Sequence, residues 1–198
     1  MPAKTTIPGP PLLGEPVPLE LANTVYATQG QLRDGLRTTD DLAAWLSGVR
    51  ARLVTPLTDA HLSTVDETQL VQARDLRDAV RELAQASVDG IRPPAGVLDR
   101  LNRHAGAGPR WRELRWGKEP DTLVRTSAPP VTAALSEIAE ATVELFAGPH
   151  HGDIRACGAP GCVLYFLRDH PRRAWCSTTC GNRVRAARHY QRERARRA

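Results

Sequence analysis

The sequence predicts a mainly α-helical protein: a helical N-terminal domain with one small β-hairpin, followed by a compact metal-binding module. Three observations support this. Apolar residues recur at three- and four-residue steps through several segments, the period of a helix buried on one face. Between Gly108 and Ser127 the pattern alternates instead, as in a small hairpin. All four cysteines fall between Cys157 and Cys180, as two close pairs with a short spacer.

The chain has 198 residues, 41% hydrophobic and 25% charged. That is enough for one domain of about 150 residues plus a small module. No apolar run approaches the ~18 residues that a membrane span requires. No secretory signal is read at the N-terminus, so the expected location is the cytoplasm, with the cysteines reduced. Arginine far outnumbers lysine, and alanine and proline are abundant, as in proteins of GC-rich bacteria.

In chain order, residues 1–18 form an irregular arm, with Pro2, Pro8, Pro10, Pro11, Pro16 and Pro18 and little periodicity. Leu19 to Tyr26 reads as a short helix, in which Asn23 and Thr24 either cap locally or line a pocket. Thr38-Thr39-Asp40-Asp41 opens the next helix, which carries Trp45 and Leu46. Adjacent carboxylates at a helix start point different ways, so Asp40 and Asp41 are caps rather than an acid/base pair.

Asp66 to Asp89 is the longest predicted helix. Ala73, Leu76, Val80 and Leu83 make its apolar stripe, Arg74, Arg77, Asp78, Arg81 and Glu82 its flanks, and Gly90 its stop. Arg77 and Arg81 read as part of a solvated face. Arg77 is nevertheless kept, with Asn23 and Trp45, as a candidate for lining an effector pocket. Pro93-Pro94 starts a helix through Val97, Leu98 and Leu101 that ends near Gly106. The predicted hairpin carries Trp111, Leu114, Trp116, Leu123 and Val124, with Gly117-Lys118 between its arms. Pro129-Pro130 opens a helix bearing Val131, Leu135, Ile138, Ala141 and Leu145. Gly148 to Gly152, with His150 and His151, then links residues 19–149 to a C-terminal unit of residues 150–198.

That unit is organised by Cys157-x4-Cys162 and Cys176-x3-Cys180. Each pair chelates locally and the spacer lets the pairs face each other, which suits one tetrahedral Zn²⁺. Gly158, Pro160 and Gly161 supply the bent backbone of a knuckle. Ser177 or Thr178 can cap the helix that follows, placing the Cys176 and Cys180 thiolates at its positive end. Knuckle, hairpin and helix make a treble-clef-like zinc finger. Two disulfides, or four unconnected thiols, are the competing readings.

Cys180 is followed by Gly181-Asn182-Arg183 and Cys176 is preceded by Trp175. With Tyr165-Phe166, Asp169, Arg172-Arg173 and Ser177, these residues resemble the CGNR zinc-finger family of bacterial transcription regulators. The resemblance implies an N-terminal helical domain of the ABATE type, to whose opening Leu19–Val25 and Trp45-Leu46 are loosely similar. It also implies a transcription regulator in which the N-terminal domain senses something or forms a homodimer. Arg185 departs from the family's usual lysine, and Asp169-His170-Pro171 from its commoner Asp-x-Ser.

Charge is distributed unevenly. Nine arginines against one glutamate from Arg172 onward put that tail at +8, leaving residues 1–171 at −3 of the +5 total. Four thiolates and Zn²⁺ bring the metallated chain nearer +3, so some arginines neutralise the cluster. The rest imply a polyanion partner. On a helix, Arg185, Arg188, Arg192 and Arg196 fall in one stripe beside Asn182 and His189, a pattern suited to double-stranded DNA. Val184, Ala187 and Tyr190 fall on another side, expected to pack on Trp175 or the knuckle; Arg183 lies near that side and is still counted with Asn182, Arg185, Arg188, His189, Arg192 and Arg196 among the candidate DNA contacts. No aromatic row suits single strands.

No catalytic constellation is read: there is no phosphate loop, no nucleophile elbow and no cysteine left free once zinc is bound. Two alternatives remain, a protein-interaction adaptor with a MYND-like finger and, through His150, His151 and His170, a zinc-dependent nuclease.

Overall fold

A computed structural model describes residues 9–197, so the first eight residues of the expected arm lie outside the described residues. Helix α1 (Val17–Ala22) starts with proline at its first turn, where the missing N–H costs nothing. It ends at Asn23, sooner than the expected Tyr26. The chain then forms a hairpin, β1 (Val25–Thr28) and β2 (Gln31–Asp34), in place of the expected helical end. Gln29 and Gly30 make its two-residue turn, both with positive φ, 53° and 76°.

Helix α2 (Thr39–Val49) is held by a capping box. Thr38 Oγ1 accepts from Asp41 N, and the Asp41 carboxylate accepts from Thr38 N, both at 3.2 Å. After the short α3 (Asp59–Leu62), helix α4 (Glu67–Asp89) has the same device at Asp66 and Gln69 and ends on Gly90 in the left-handed region, φ 65°. Helix α5 (Ala95–Gly106) leads to the hairpin β3 (Arg110–Trp116) and β4 (Pro120–Thr126), then to α6 (Pro130–Ala147). Gly108 sits where a Cβ would lie 2.7 Å from Ala133 Cα, so α5 and α6 can close together there.

Helix α4 is the hub, packed by α1, α2, α5, α6 and the finger strand β5 (Ile154–Ala156). Its predicted stripe is buried, with Ala73, Leu76 and Val80 fully so. Its flanks are not the solvated face expected. Arg77 is only 5% exposed and ion-pairs with Asp34 at 2.6 Å and with Asp78 at 2.9 Å. Arg81 donates to Ala22 O at 2.8 Å, and burial lowers its pKa. Sequence periodicity marks which side of a helix is apolar, but not which polar flank residues distant in sequence will cover.

The remaining elements are β6 (Tyr165–Leu167), antiparallel to β5, and α7 (Thr178–Arg197). Ile154 and Tyr165 belong to the same buried cluster as the N-terminal helices. Tyr26 and Leu13 in turn pack into the cluster formed around the cysteines. No described helix is long and apolar enough to cross a membrane.

Candidate metal centre and nucleic-acid interface

The first cysteine pair sits at the tip of the β5–β6 hairpin. Cys157 N donates to Leu164 O at 2.8 Å, closing the loop, and Cys162 N donates to Ala159 O at 2.9 Å, forming the knuckle. Gly161 turns it with φ 70°. The second pair straddles the start of α7. Ser177 is the cap: its Oγ accepts from Cys180 N at 3.3 Å, and its carbonyl accepts from Gly181 N at 3.1 Å. The positive end of the helix favours thiolate there.

These elements bring four sulfurs within 4.8 Å of one another. Cys162 to Cys176 is 3.8 Å and Cys176 to Cys180 is 3.5 Å. A disulfide needs about 2.05 Å, and none of the four cysteines is in one. Tetrahedral zinc with Zn–S near 2.3 Å puts its sulfurs about 3.8 Å apart, so the donor set fits one zinc ion. Crowding strains the proton inventory. Hydrogen bonds from Cys162 and Cys176 hold Cys157 well below the thiol range, while Cys162 is pushed up to about 11 through its bond to Cys157. Hydrogen bonds to Cys157 and Cys162 push Cys176 up as well. A bound dication supplies the charge that lets all four be thiolates together. Among the described residues, this is the one group of three or more metal-ligating side chains.

The tetrapeptide after the cluster has separable roles. Gly181 is buried against Trp175, where a Cβ would lie 3.1 Å from the indole. Arg183 donates to Pro160 O at 2.9 Å and holds the knuckle to the helix. Asn182 is exposed, and its side-chain oxygen accepts from Arg185. Beyond Val184 the helix leaves the finger's core. Arg185, Arg188, His189, Arg192 and Arg196 are all exposed. Tyr190, expected to pack, is 69% exposed, because the finger's buried cluster ends at Val184.

A second set of residues fixes the finger to the body, and sequence reasoning misses most of it. Asn23 Nδ2 donates to Tyr165 O at 2.9 Å, and Asn23 Oδ1 accepts from Tyr165 N at 2.8 Å. Arg81 lies over the Tyr165 ring, 5.3 Å from its centre, and Tyr165 Oη donates to Gln85 at 2.9 Å. Glu20, fully buried, accepts from Leu13 N and Glu15 N and so shapes residues 13–15. Glu15, buried in turn, accepts from Leu167 N at 2.9 Å and pairs with Arg173, whose guanidinium lies over Phe166. Burial raises the Glu15 pKa, against the pull of Leu167 N–H and Arg173.

The three candidates for an effector pocket are therefore engaged otherwise. Asn23 binds the finger, Arg77 is ion-paired, and Trp45 lies 4% exposed in the core, its Nε1 without a hydrogen-bond partner among the described residues. His150 and His151 are exposed in the turn after α6, and His170 Nδ1 accepts from Arg172 N at 3.1 Å. Among the described residues, no histidine joins the cysteine cluster.

No curated protein matches the chain. Residues 154–193 match the CGNR zinc finger. Residues 15–149 match the ABATE family, described as "Putative stress-induced transcription regulator", and since that is well over half of the chain, the protein belongs to this family, with a CGNR zinc finger at its C-terminal end.

Proposed function

We propose that this regulator binds double-stranded DNA through α7, with zinc shaping the start of that helix and residues 19–149 carrying regulation rather than chemistry. The observation that carries the reading is the exposed stripe of Arg185, Arg188, Arg192 and Arg196 on a helix that leaves its own core after Val184. At 20 residues α7 is about 30 Å long. Such a polar helix gains little from its own domain and is favoured by a partner that covers it. Arginines at these steps can follow a phosphate backbone or reach guanine edges, and Asn182 and His189 lie beside them. The cytoplasm, where thiols stay reduced, suits both zinc and DNA.

A salt titration of duplex binding tests this. Changing Arg188 and Arg192 together to Ala should abolish binding at moderate salt without releasing zinc. For every arginine–phosphate pair removed, the salt dependence should flatten by about one unit. Equal binding by the double variant across the titration would leave α7 a solvated face and favour the adaptor reading.

A further inference from the structure

The β3–β4 hairpin stands as a two-stranded sheet, and among the described residues no strand pairs with either of its edges. It also carries three large exposed apolar side chains, Trp116 at 77%, Leu114 at 66% and Trp111 at 52%. An isolated hairpin is marginal in water, and an open strand edge invites another chain; the three apolar side chains lie on β3, so the choice of β4 rests on its backbone and its charges. We propose that β4 is the docking edge for a second copy of this chain, pairing antiparallel with its counterpart about Leu123.

The edge geometry permits it. Gly117 N donates to Glu119 O across the turn, so these two peptide groups point into the ladder. By alternation the peptide groups of Asp121, Leu123 and Arg125 face β3, and those of Thr122 and Val124 face outward. Thr122 N, lacking a strand partner, donates to its neighbour's carboxylate, Asp121 Oδ1, at 2.7 Å, a bond that pairing would replace. Pro120, which has no N–H to give, occupies another outward position, where proline is tolerated.

The charges select the register. About a twofold axis at Leu123, Thr122 and Val124 exchange hydrogen bonds with the other copy's Val124 and Thr122. Asp121 then faces the other copy's Arg125, twice, and the two Leu123 side chains meet between them. Within one chain Asp121 pairs with Arg115 at 2.9 Å and Arg125 with Glu113 at 2.7 Å. In the pair these become continuous rows of alternating charge. The β3 edge lacks this property: its arginines face few acids, and an axis at Glu113 would set that carboxylate against itself. The hairpin adjoins the N-terminal end of α6, whose 18 residues span about 27 Å, while the finger follows the other end. The inference does not rest on the DNA reading and survives its failure.

Sedimentation velocity on the full zinc-loaded chain tests it with two exposed variants, Asp121→Arg and Arg125→Asp. The parent should dimerise reversibly. Each variant alone should dimerise at least about tenfold more weakly, because like charges then face each other. An equimolar mixture should recover the dimer, since the two altered edges complement one another. A parent that stays monomeric at high concentration would overturn the proposal. So would single variants as dimeric as the parent, or a mixture no more associated than its parts.

Discussion

The amide of Asn23 closes a two-bond ring with the main chain of Tyr165, 142 residues away, donating at 2.9 Å and accepting at 2.8 Å. Asn23 is fully buried, so neither of these bonds has water as an alternative. The side chain acts as a fragment of a third strand beside β6, and it makes the finger an extension of the body's core. Asn23→Ala leaves a buried N–H and C=O unpaired and should cost about 3 kcal/mol in chemical denaturation. Asn23→Asp keeps the acceptor for Tyr165 N but sets a buried carboxylate against Tyr165 O. It should destabilise at least as much, while the Tyr165 amide stays better protected from hydrogen exchange than in the Ala variant. Equal protection in the two variants would contradict this geometry.

Zinc removal should consequently be felt outside the finger. Structural zinc contributes on the order of 10 kcal/mol to small modules. Here Tyr26 and Leu13 pack around the cysteines, and Ile154 and Tyr165 pack into the main core. Cys162→Ser, or a strong chelator, should unfold the finger and also lower the melting temperature of the helical body. Stoichiometric zinc should be found in the purified parent. A finger that stays folded without metal would refute the zinc assignment, and an unchanged body would show that the shared cores do not couple.

Local signals are legible in the sequence and long-range ones are not. Helix α4 is readable because Asp66, the Leu76–Val80–Leu83 stripe and Gly90 all lie within or beside it. The cysteine cluster is readable because each pair chelates across a few residues. The β1–β2 hairpin escapes because its turn is Gln29-Gly30, and glutamine, unlike asparagine, is no turn signal. Asn23 reads as a cap or pocket residue because nothing near it in sequence announces Tyr165. Glu15 hides among prolines, although it ties that segment to both Leu167 and Arg173. The exposure of Tyr190 depends on where the finger's core ends, which helical periodicity does not contain.

Arg183 and the outer arginines should separate by experiment. Arg183 bonds to Pro160 O and so braces the knuckle behind Cys157 and Cys162. Removing such support from a metal site typically weakens affinity about tenfold or more. Arg183→Ala should therefore lose zinc more readily to a competing chelator, whereas Arg188→Ala and Arg192→Ala should hold it as the parent does. A parent-like zinc affinity for Arg183→Ala would mean that the knuckle is set by its own turn alone.

Glu15 gives a prediction whose sign is fixed by its surroundings. Burial, helped by repulsion from Glu20, raises its pKa above the ordinary 4.5 despite Leu167 N–H and Arg173. Between 4.5 and the raised value, the folded chain holds a proton that the unfolded chain has released. The contribution of Glu15 to stability therefore falls as pH rises through that window and levels off above it, by about 1.4 kcal/mol per unit of elevation. Glu15→Gln cannot titrate but keeps an acceptor for Leu167 N, and it shares every other titrating group with the parent. The stability of the parent minus that of the Gln variant should thus decline with rising pH above 4.5 and then become flat. A difference that instead increases with pH would mean that the Arg173 ion pair outweighs burial, with Glu15 ionised more easily in the folded chain than in the unfolded one.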